Sequence, residues 1–426
     1  QSSIPLVVGI GQVRKPNLGR EAFQEIDYND FYRSITKEVL QVDAAEDLGV
    51  TMRHAFATAE SGRPGPVAVV MPEDILLDQT ICVPPMPVAK VAASPSHDKL
   101  QIISRCLAGS ERPLIIVGGS VWKDEECRAL QDFAAKNDVP VLASFRRQDI
   151  FDNNHPCYGG YLGYGTHENV WSLAEEADCV LIFGARMDEP TTKDYQLFSN
   201  NKARQLLLIH PDPDEVKLVY DLDFKIAAMP GAVAGQLSPL GRVSKRDTGS
   251  WRALIRDAYT NATLPPQLDS RLDPLMVIEE LNSSLDSDAF FTIDAGNFTR
   301  WPMRGRRYSR ARRLLGPVNG AMGYGVPAAV AASILFPKKQ VVCCVGDGGM
   351  LMTGGELATA KKYGANPKIV VFNNGMYGTI QMHQDKAFPE RRIATSLHNP
   401  GFVEYAASFG IPGIRLRNNG EVKAGV

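Results

Sequence analysis

The chain has 426 residues, enough to bury two or three hydrophobic cores, so several domains are expected. Its net charge of −2 argues against nucleic acid or an acidic membrane surface as an overall partner, and no apolar run reaches membrane-spanning length. The seven cysteines contain no CxxC pair, and two of them, Cys343 and Cys344, are adjacent in a predicted buried strand. We therefore expect a reduced, cytoplasmic protein.

The first part of the chain, residues 1–85, predicts one α/β unit. Strands are predicted at residues 4–9 and 66–71 because both runs are short and apolar, and an amphipathic helix is predicted at 43–61 between them. Strand-like residues begin almost at once, and the chain ends soon after a predicted loop and strand at 410–416. We therefore expect a fragment at both ends.

A proline-rich linker is predicted from Leu77 to Pro95, and a middle domain follows it at residues 95–240. Buried strands alternate there with helices, which is the pattern of a doubly wound α/β fold. The predicted strands are 114–117, 139–143, 180–183 and 206–209, and the predicted helix is 125–136. A second linker with one short helix is predicted from Ala232 to Leu264.

The third domain, residues 265–426, begins with a predicted helix at 274–285 and a strand at 290–294 that ends in DAGNFTRW. Residues 300–313 then contain seven arginines among fourteen residues. A nucleic-acid patch, a site for an anionic substrate and a solvated or subunit-facing segment are all compatible with this composition. The slightly acidic chain favours the last of these, so no nucleic-acid partner is expected.

The stretch from Gln340 to Met376 predicts a strand, a helix and a second strand. The apolar runs 340–345 and 368–372 are short and rich in β-branched residues, while 350–363 has helical spacing with Gly364 just past its end. A right-handed crossover of this length makes the two strands parallel. The residues that follow the two strands are therefore expected at the same edge of the sheet, where ligands of open α/β sheets bind.

Oxygen donors at this edge predict a magnesium diphosphate site, because Mg²⁺ prefers oxygen ligands and keeps phosphate and water among them. Asp347 and Asn374 supply side-chain oxygens and Met376 a backbone carbonyl, while Gly348 and Gly349 let main-chain amides approach a phosphate closely. GDG alone or NNG alone is more often a tight turn. Together, at this spacing, they favour a ligand site.

The order of these motifs resembles a known family. GDG, followed after twenty-four residues by NN, is similar to the diphosphate motif of thiamine diphosphate enzymes. GPVNGAMGYGVPAA at 316–329, and PLVVGIGQV with GREAFQE within 5–25, are similar to its acetolactate synthase branch. The resemblance implies an α/β fold of three doubly wound parallel-sheet domains, namely a partial pyrimidine-binding, a middle and a diphosphate-binding domain, assembled as a homodimer or homotetramer.

The resemblance also implies site residues. Three candidate catalytic residues are Met322 as a prop under the bent cofactor, Gln24 near the substrate pocket, and His383 where acetolactate synthases carry a tryptophan that selects the second ketoacid. The implied metal ligands are Asp347, Asn374 and Met376. The implied cofactor-binding residues are Gly296, Asn297, Met322, Gly346, Gly348, Gly349, Met376 and Tyr377.

The implied activity is decarboxylation and carboligation of 2-ketoacids with thiamine diphosphate and Mg²⁺. His383 departs from the family pattern, so a 2-ketoacid decarboxylase or a carbon–carbon lyase stays open. The activating glutamate of the family is expected outside this chain, since Glu21 and Glu25 fall on a loop where carboxylates are usually solvated. A cofactor-binding but inactive protein therefore stays open as well.

The middle domain raises the question of a second cofactor. GYLGYG at 160–165 and GAR at 184–186 are similar to flavin-contacting segments of acetolactate synthases. The domain has no GxGxxG motif, which argues against FAD, and relatives with an ADP-binding or an empty middle domain share the scaffold. A nucleotide-binding regulatory module is the remaining alternative.

Overall fold

The computed structural model describes residues 1–81, 95–120, 122–199, 203–214, 216, 220–263 and 271–426. Three separate β-sheets follow one another along these residues, and all ten strand pairings between named strands are parallel. Helices connect the strands, so the predicted α/β class with three parallel-sheet units is confirmed. Most of the predicted linker 77–95 lies outside the described residues, as does Cys82.

The first unit is a three-stranded sheet with the order β1-β3-β2. Its elements are β1 (Leu6–Gln12), α1 (Tyr28–Tyr32), β2 (Glu38–Gln41), α2 (Leu48–Glu60), β3 (Pro66–Pro72) and α3 (Glu73–Leu77). The central strand β3 is buried over most of its length because it pairs on both sides. Strand β2 was not predicted, since its sequence EVLQ is short and half polar.

The central unit is a six-stranded sheet with the order β6-β5-β4-β7-β8-β9. Its elements are α4 (His97–Gly109), β4 (Pro113–Val117), α5 (Asp124–Asn137), β5 (Val141–Ala143), β6 (Tyr158–Tyr161), α6 (Glu168–Glu175), β7 (Cys179–Phe183), β8 (Gln205–His210), β9 (Phe224–Ala227), α7 (Pro230–Leu237) and α8 (Gly249–Thr263). The prediction of a linker with one short helix at 232–264 is wrong. Helix α8 has 15 residues and buries Trp251 and Ile255 in the core of this unit.

The third unit is a four-stranded sheet with the order β11-β10-β12-β13. Its elements are α9 (Pro274–Ser284), β10 (Phe290–Ile293), α10 (Arg300–Gly305), β11 (Leu314–Leu315), α11 (Gly325–Leu335), β12 (Val341–Gly346), α12 (Asp347–Thr353), α13 (Leu357–Tyr363), β13 (Lys368–Phe372), α14 (Gly378–Ala387), α15 (Phe402–Ser408) and α16 (Val422–Gly425).

Two predictions for the third unit need correction. The helix after β12 begins at Asp347 rather than at residue 350, and a 3₁₀ turn at Gly354–Glu356 divides it. Residues 410–416 form no strand, and the short helix α16 closes the chain instead. Gly364 ends α13 in the left-handed conformation (φ 64°), as the sequence predicted.

Strand β12 is buried on both faces, which explains its run of β-branched and cysteine residues. Successive side chains of a strand point to opposite faces. Val342 and Cys344 accordingly join a cluster shared with the central unit, while Cys343 joins the cluster formed with α11 and α13. The central and third units therefore share one hydrophobic core, which also contains Phe291 of β10.

The six described cysteines are all free thiols and all buried, so none of them forms a disulfide in the described part of the chain. Burial raises the pKa of these thiols, with Cys343 reaching about 12. Among the helices of the described residues, none has both the length and the apolar character needed to cross a lipid bilayer.

His210, the last residue of β8, is a buried imidazole whose Nδ1 lies 2.7 Å from the carbonyl oxygen of Asp212. The pKa of this side chain is lowered to about 4, mainly by burial and also by the positive charges of Arg63 and Arg186, while hydrogen bonding and the charge of Asp212 oppose the shift. The folded protein therefore holds His210 neutral over a pH range in which the unfolded chain is protonated.

This difference predicts a loss of stability in acid. As the pH falls from 6.5 to 4, the unfolded chain binds a proton that the folded protein does not bind, so the free energy of unfolding decreases. For this residue alone, the decrease reaches about 3 kcal/mol at pH 4. His210→Gln should flatten the pH dependence of urea unfolding in this window. His97→Gln, which alters an exposed histidine, should leave it unchanged, and an equal effect of both variants would contradict the prediction.

Candidate cofactor and metal site

The carboxyl ends of three neighbouring strands form one edge of the third sheet. Strand β12 lies between β10 and β13 with parallel register, pairing Ile293 with Cys344 and Gly346 with Phe372. The residues that follow these strands therefore emerge on the same side of the sheet. The structure brings Asp347 together with the loop 373–376 that follows β13.

Asp347 is a buried carboxylate whose two oxygens accept three hydrogen bonds. Oδ1 accepts from the amide of Gly348 at 3.0 Å, and Oδ2 accepts from the amide of Gly375 and from Nδ2 of Asn399, both at 2.7 Å. Hydrogen bonds to an ionised acceptor are short and strong. The carboxylate therefore fixes the loop after β13 against the start of α12.

Asn374 and Met376 lie on this loop. Oδ1 of Asn374 accepts from the amide of Met376 at 3.2 Å, and the carbonyl of Met376 accepts from the amide of Gly378 at 3.0 Å. Each of these oxygens accepts only one such bond within the described residues and keeps a lone pair for another partner. The side chain of Asn374 is exposed to solvent.

Asn399 is a site residue that the sequence did not indicate. Its Nδ2 bridges Asp347 and Oδ1 of Asn373, at 2.7 and 2.8 Å, while its own Oδ1 is buried and has no hydrogen-bond partner in the described part of the chain. A buried unpaired oxygen beside a carboxylate is an acceptor that a bound cation or its water would satisfy.

The donor set fits a hard cation such as Mg²⁺. It consists of carboxylate, amide and carbonyl oxygens, which Mg²⁺ prefers, and of few protein ligands, which suits an ion that also binds phosphate and water. Among the described residues, no group of three or more His, Cys, Asp or Glu side chains could hold a metal ion. A soft transition metal therefore has no matching site in the described part of the chain.

Gly348 is the point at which Met322 and Tyr377 meet. A Cβ atom on Gly348 would lie 2.6 Å from Cε1 of Tyr377 and 3.3 Å from Cε of Met322, so only glycine fits between these side chains. Met322 is 38% exposed, which leaves part of its side chain free at the same edge as Asp347. The structure thus brings Met322, Gly348, Asp347, Met376 and Tyr377 together.

Asp294 is the second buried carboxylate at this edge, and it was not predicted as a site residue from the sequence. It accepts hydrogen bonds from the amides of Ala295 at 2.6 Å, Gly323 at 2.9 Å and Gly325 at 3.2 Å. A Cβ atom on Gly349 would lie 2.9 Å from its Oδ2. Gly349 is therefore needed for the close approach of Asp294 to α12.

Asn297 and the two remaining glycines, Gly296 and Gly346, surround Phe298. The ring of Phe298 lies within 3.3 Å of the positions that Cβ atoms on both glycines would occupy, and it stacks on Phe372 with centroids 5.4 Å apart. The exposed Asn297 accepts a hydrogen bond from Oγ1 of Thr379 at 3.0 Å, which links this loop to α14.

Gln24 and His383 are not among the residues that the structure brings to Asp347. Gln24 is exposed on a loop of the first unit with φ 68°, in the left-handed region. His383 is exposed on α14. In the same loop as Gln24, Glu25 accepts from the amide of Ala22 at 2.9 Å, and backbone hydrogen bonds from Gly19 and Ala22 lower the pKa of its carboxyl group.

The arginine-rich segment 300–313 is partly structural. Arg306 is buried, donates to Oδ1 of Asn282 at 2.8 Å and lies over the ring of Phe291 at 5.6 Å. Arg313 lies over Phe290 at 4.9 Å. At least these two arginines therefore pack against the protein. Part of the positive charge of segment 300–313 thus has a structural role that needs no nucleic-acid partner.

Comparison with known proteins supports a fold of this kind. Residues 294–426 match the family described as thiamine pyrophosphate enzyme, C-terminal TPP binding domain, and residues 100–237 match its central domain. The chain is 30% identical to the acetolactate synthase isozyme 2 large subunit of Escherichia coli (strain K12), over 99% of this chain and 76% of that protein. It is 31% identical to an acetolactate synthase of Mycobacterium bovis, over 99% of this chain and 70% of that protein. The chain therefore belongs to the acetolactate synthase-like branch of the thiamine pyrophosphate enzymes.

Two glycines of the motif differ in their surroundings, which gives a test of this geometry. Gly349→Ala would place Cβ 2.9 Å from a carboxylate that three amides hold in place, so we expect it to lower the free energy of unfolding by about 2 kcal/mol. Gly355→Ala, where nothing lies within 4 Å, should be neutral or slightly stabilising. Urea unfolding compares the two variants, and equal stabilities would show that Asp294 does not pack against α12 as described.

Proposed function

We propose that the chain is the catalytic part of an enzyme that uses thiamine diphosphate and Mg²⁺ to decarboxylate and join 2-ketoacids, in agreement with its relatives, which are named acetolactate synthases. The observation that carries the proposal is the hydrogen bond from the amide of Gly375 to Asp347, because it joins the two oxygen-bearing strand ends into one site. Such a site suits a diphosphate bound through a single hard cation.

The residues of the edge have separate roles in this proposal. Asp347, Asn374 and the carbonyl of Met376 would hold Mg²⁺, and Asn399 would orient Asp347 through its hydrogen bond. Gly296, Asn297, Gly346, Gly348 and Gly349 would border the diphosphate. When bound, thiamine diphosphate supplies a carbon nucleophile and an electron sink for the reaction of a 2-ketoacid. Met322 and Tyr377, which meet over Gly348, would support the cofactor ring and exclude water there.

Substitution of Asp347 tests the metal site. Asp347→Asn keeps the shape of the side chain but removes its charge, so the dissociation constant of Mg²⁺–thiamine diphosphate should rise roughly a hundredfold. Isothermal titration of the purified full-length protein, with and without Mg²⁺, measures this change. The matched control is Asp288→Asn, which alters a carboxylate just before β10, at the opposite edge of the same sheet, and should leave affinity unchanged. Wild-type affinity in Asp347→Asn would refute the assignment.

The reaction is tested with pyruvate. A carboligating enzyme should convert it to acetolactate and carbon dioxide, whereas a decarboxylase of the same family should release acetaldehyde. Decarboxylation stays the alternative because His383 stands where acetolactate synthases carry the tryptophan that selects the second ketoacid. Product analysis by chromatography distinguishes the two, and release of acetaldehyde alone would replace carboligation by decarboxylation.

A homodimer or homotetramer is part of the proposal. Ile380, Met382, Phe388 and Ile393 are large apolar side chains on and after α14, next to the site, and each is 47–75% exposed. Apolar surface of this kind usually marks a protein–protein contact. A cytoplasmic location is supported by the buried, unpaired cysteines of the described residues. A small-molecule substrate, with no nucleic-acid or membrane partner, completes the proposal.

FAD is not part of the proposed cofactor set. One cavity between the units is lined by residues that include Gly119, Arg147, Arg186, Asp188 and Val318, and its volume is about 30 Å³. That space holds one or two water molecules rather than a dinucleotide. Gly163 of the GYLGYG segment faces the ring of Phe145 rather than open space.

A further inference from the structure

Residues 145–153, which we call the bridging segment, connect β5 to β6 of the central unit and also form several hydrogen bonds with the third unit. Oδ2 of the fully buried Asp149 accepts from the amides of Arg313 and Leu314, at 2.7 and 2.9 Å. Asn153 exchanges two hydrogen bonds with the backbone of Tyr308, at 2.8 and 3.0 Å. The segment therefore fixes the two units to each other.

Arg146 is the residue of this segment that reaches the cofactor edge. Its side chain is buried, Nη1 donates to the carbonyl of Pro317 at 2.5 Å, and Nη2 donates to the carbonyl of Asp294 at 3.2 Å. Burial lowers the pKa of its guanidinium to about 10, so the group still carries its charge at neutral pH. Arg146 adopts φ 58°, a left-handed conformation that is uncommon for residues other than glycine and directs the side chain into the junction.

The two carbonyls that Arg146 binds belong to Pro317 and Asp294, which both contribute to fixing the loop that carries Met322. Pro317 lies at the beginning of the loop 316–325 that carries Met322, and a Cβ atom on Gly316 would lie 3.2 Å from Cδ of Arg146. Asp294 holds the other end of the loop, because its carboxylate accepts from the amides of Gly323 and Gly325. Arg146 therefore binds the first end of the loop directly, and it binds the backbone of the residue whose carboxylate holds the second end.

We propose that Arg146 is a positioning residue, which acts from the central unit through Asp294 and Pro317 to hold the Met322 loop against Gly348 and the cofactor edge. Its role toward thiamine diphosphate rests on the function proposed above. Its role in ordering the loop rests on the contacts of this chain alone. Met322, whose Cε lies 3.3 Å from the Cβ position of Gly348, is the side chain that the arrangement places.

Variants of Arg146 test the proposal in the full-length protein. Arg146→Met keeps the bulk of the side chain but removes every donor, whereas Arg146→Lys keeps the charge and can bind only one of the carbonyls. In Arg146→Met we expect backbone amides of residues 316–326 to exchange with deuterium about tenfold faster, while the amides of β12 keep their protection. The dissociation constant of Mg²⁺–thiamine diphosphate should rise by about tenfold. Arg146→Lys should restore part of both properties.

Arg256→Met provides the matched control. The guanidinium of Arg256 also donates to two backbone carbonyls, those of Asn153 and Tyr158, both at 2.9 Å, and lies over an aromatic ring, Tyr259, but away from the Met322 loop. This variant should lower stability without changing exchange in residues 316–326 or cofactor affinity. Unchanged exchange in Arg146→Met, or the same change in Arg256→Met, would overturn the proposal. Failure of the wild-type protein to bind thiamine diphosphate would overturn the proposed function, and the exchange data would still decide the role of Arg146 in the loop.

Discussion

The arrangement of the site depends on one buried charge, the carboxylate of Asp347. Transfer of an ionised carboxylate out of water costs several kcal/mol unless hydrogen bonds compensate it. Three donors do so here, and they come from the start of α12, from the loop after β13 and from Asn399. Because each of these donors must stay within hydrogen-bonding distance, the need to satisfy one charge holds three separate parts of the chain at the same edge.

Asp294 applies the same constraint one strand away. Its carboxylate is also satisfied by backbone amides, and those of Gly323 and Gly325 lie at the end of the loop that carries Met322. The sequence predicts that Gly348 and Gly349 allow close approach of a phosphate. In the structure, each glycine also makes room for side chains of the protein itself. Gly348 leaves room for Tyr377 and Met322, and Gly349 leaves room for Asp294. The glycines therefore let the side chains that build the edge pack around the two carboxylates.

The sequence was informative where local pattern and final structure agree. The β-branched runs before and after the GDG motif predicted β12 and β13, although only β12 is buried on both faces and β13 is a half-buried edge strand. It was uninformative where a role depends on distant contacts. Asn399 reads as an ordinary loop residue, and helix α8 was hidden in a stretch rich in Gly, Ser and charge, although Trp251 anchors it by burial against the central sheet. Arg146 gave no signal either, since only tertiary structure places two carbonyls of another unit around its guanidinium.

The edge is held on one side and exposed on the other, and this asymmetry has an electrostatic consequence. Asp294 and Asp347 are buried and accept hydrogen bonds, whereas Asn297 and Asn374 are open to solvent. Two unit charges 4 Å apart attract by about 1 kcal/mol in water but by about 4 kcal/mol at the effective dielectric constant of a partly covered protein site. In the proposed assembly, a partner surface that covered the exposed apolar residues of α14 would therefore strengthen cation and diphosphate binding at the edge without adding a ligand.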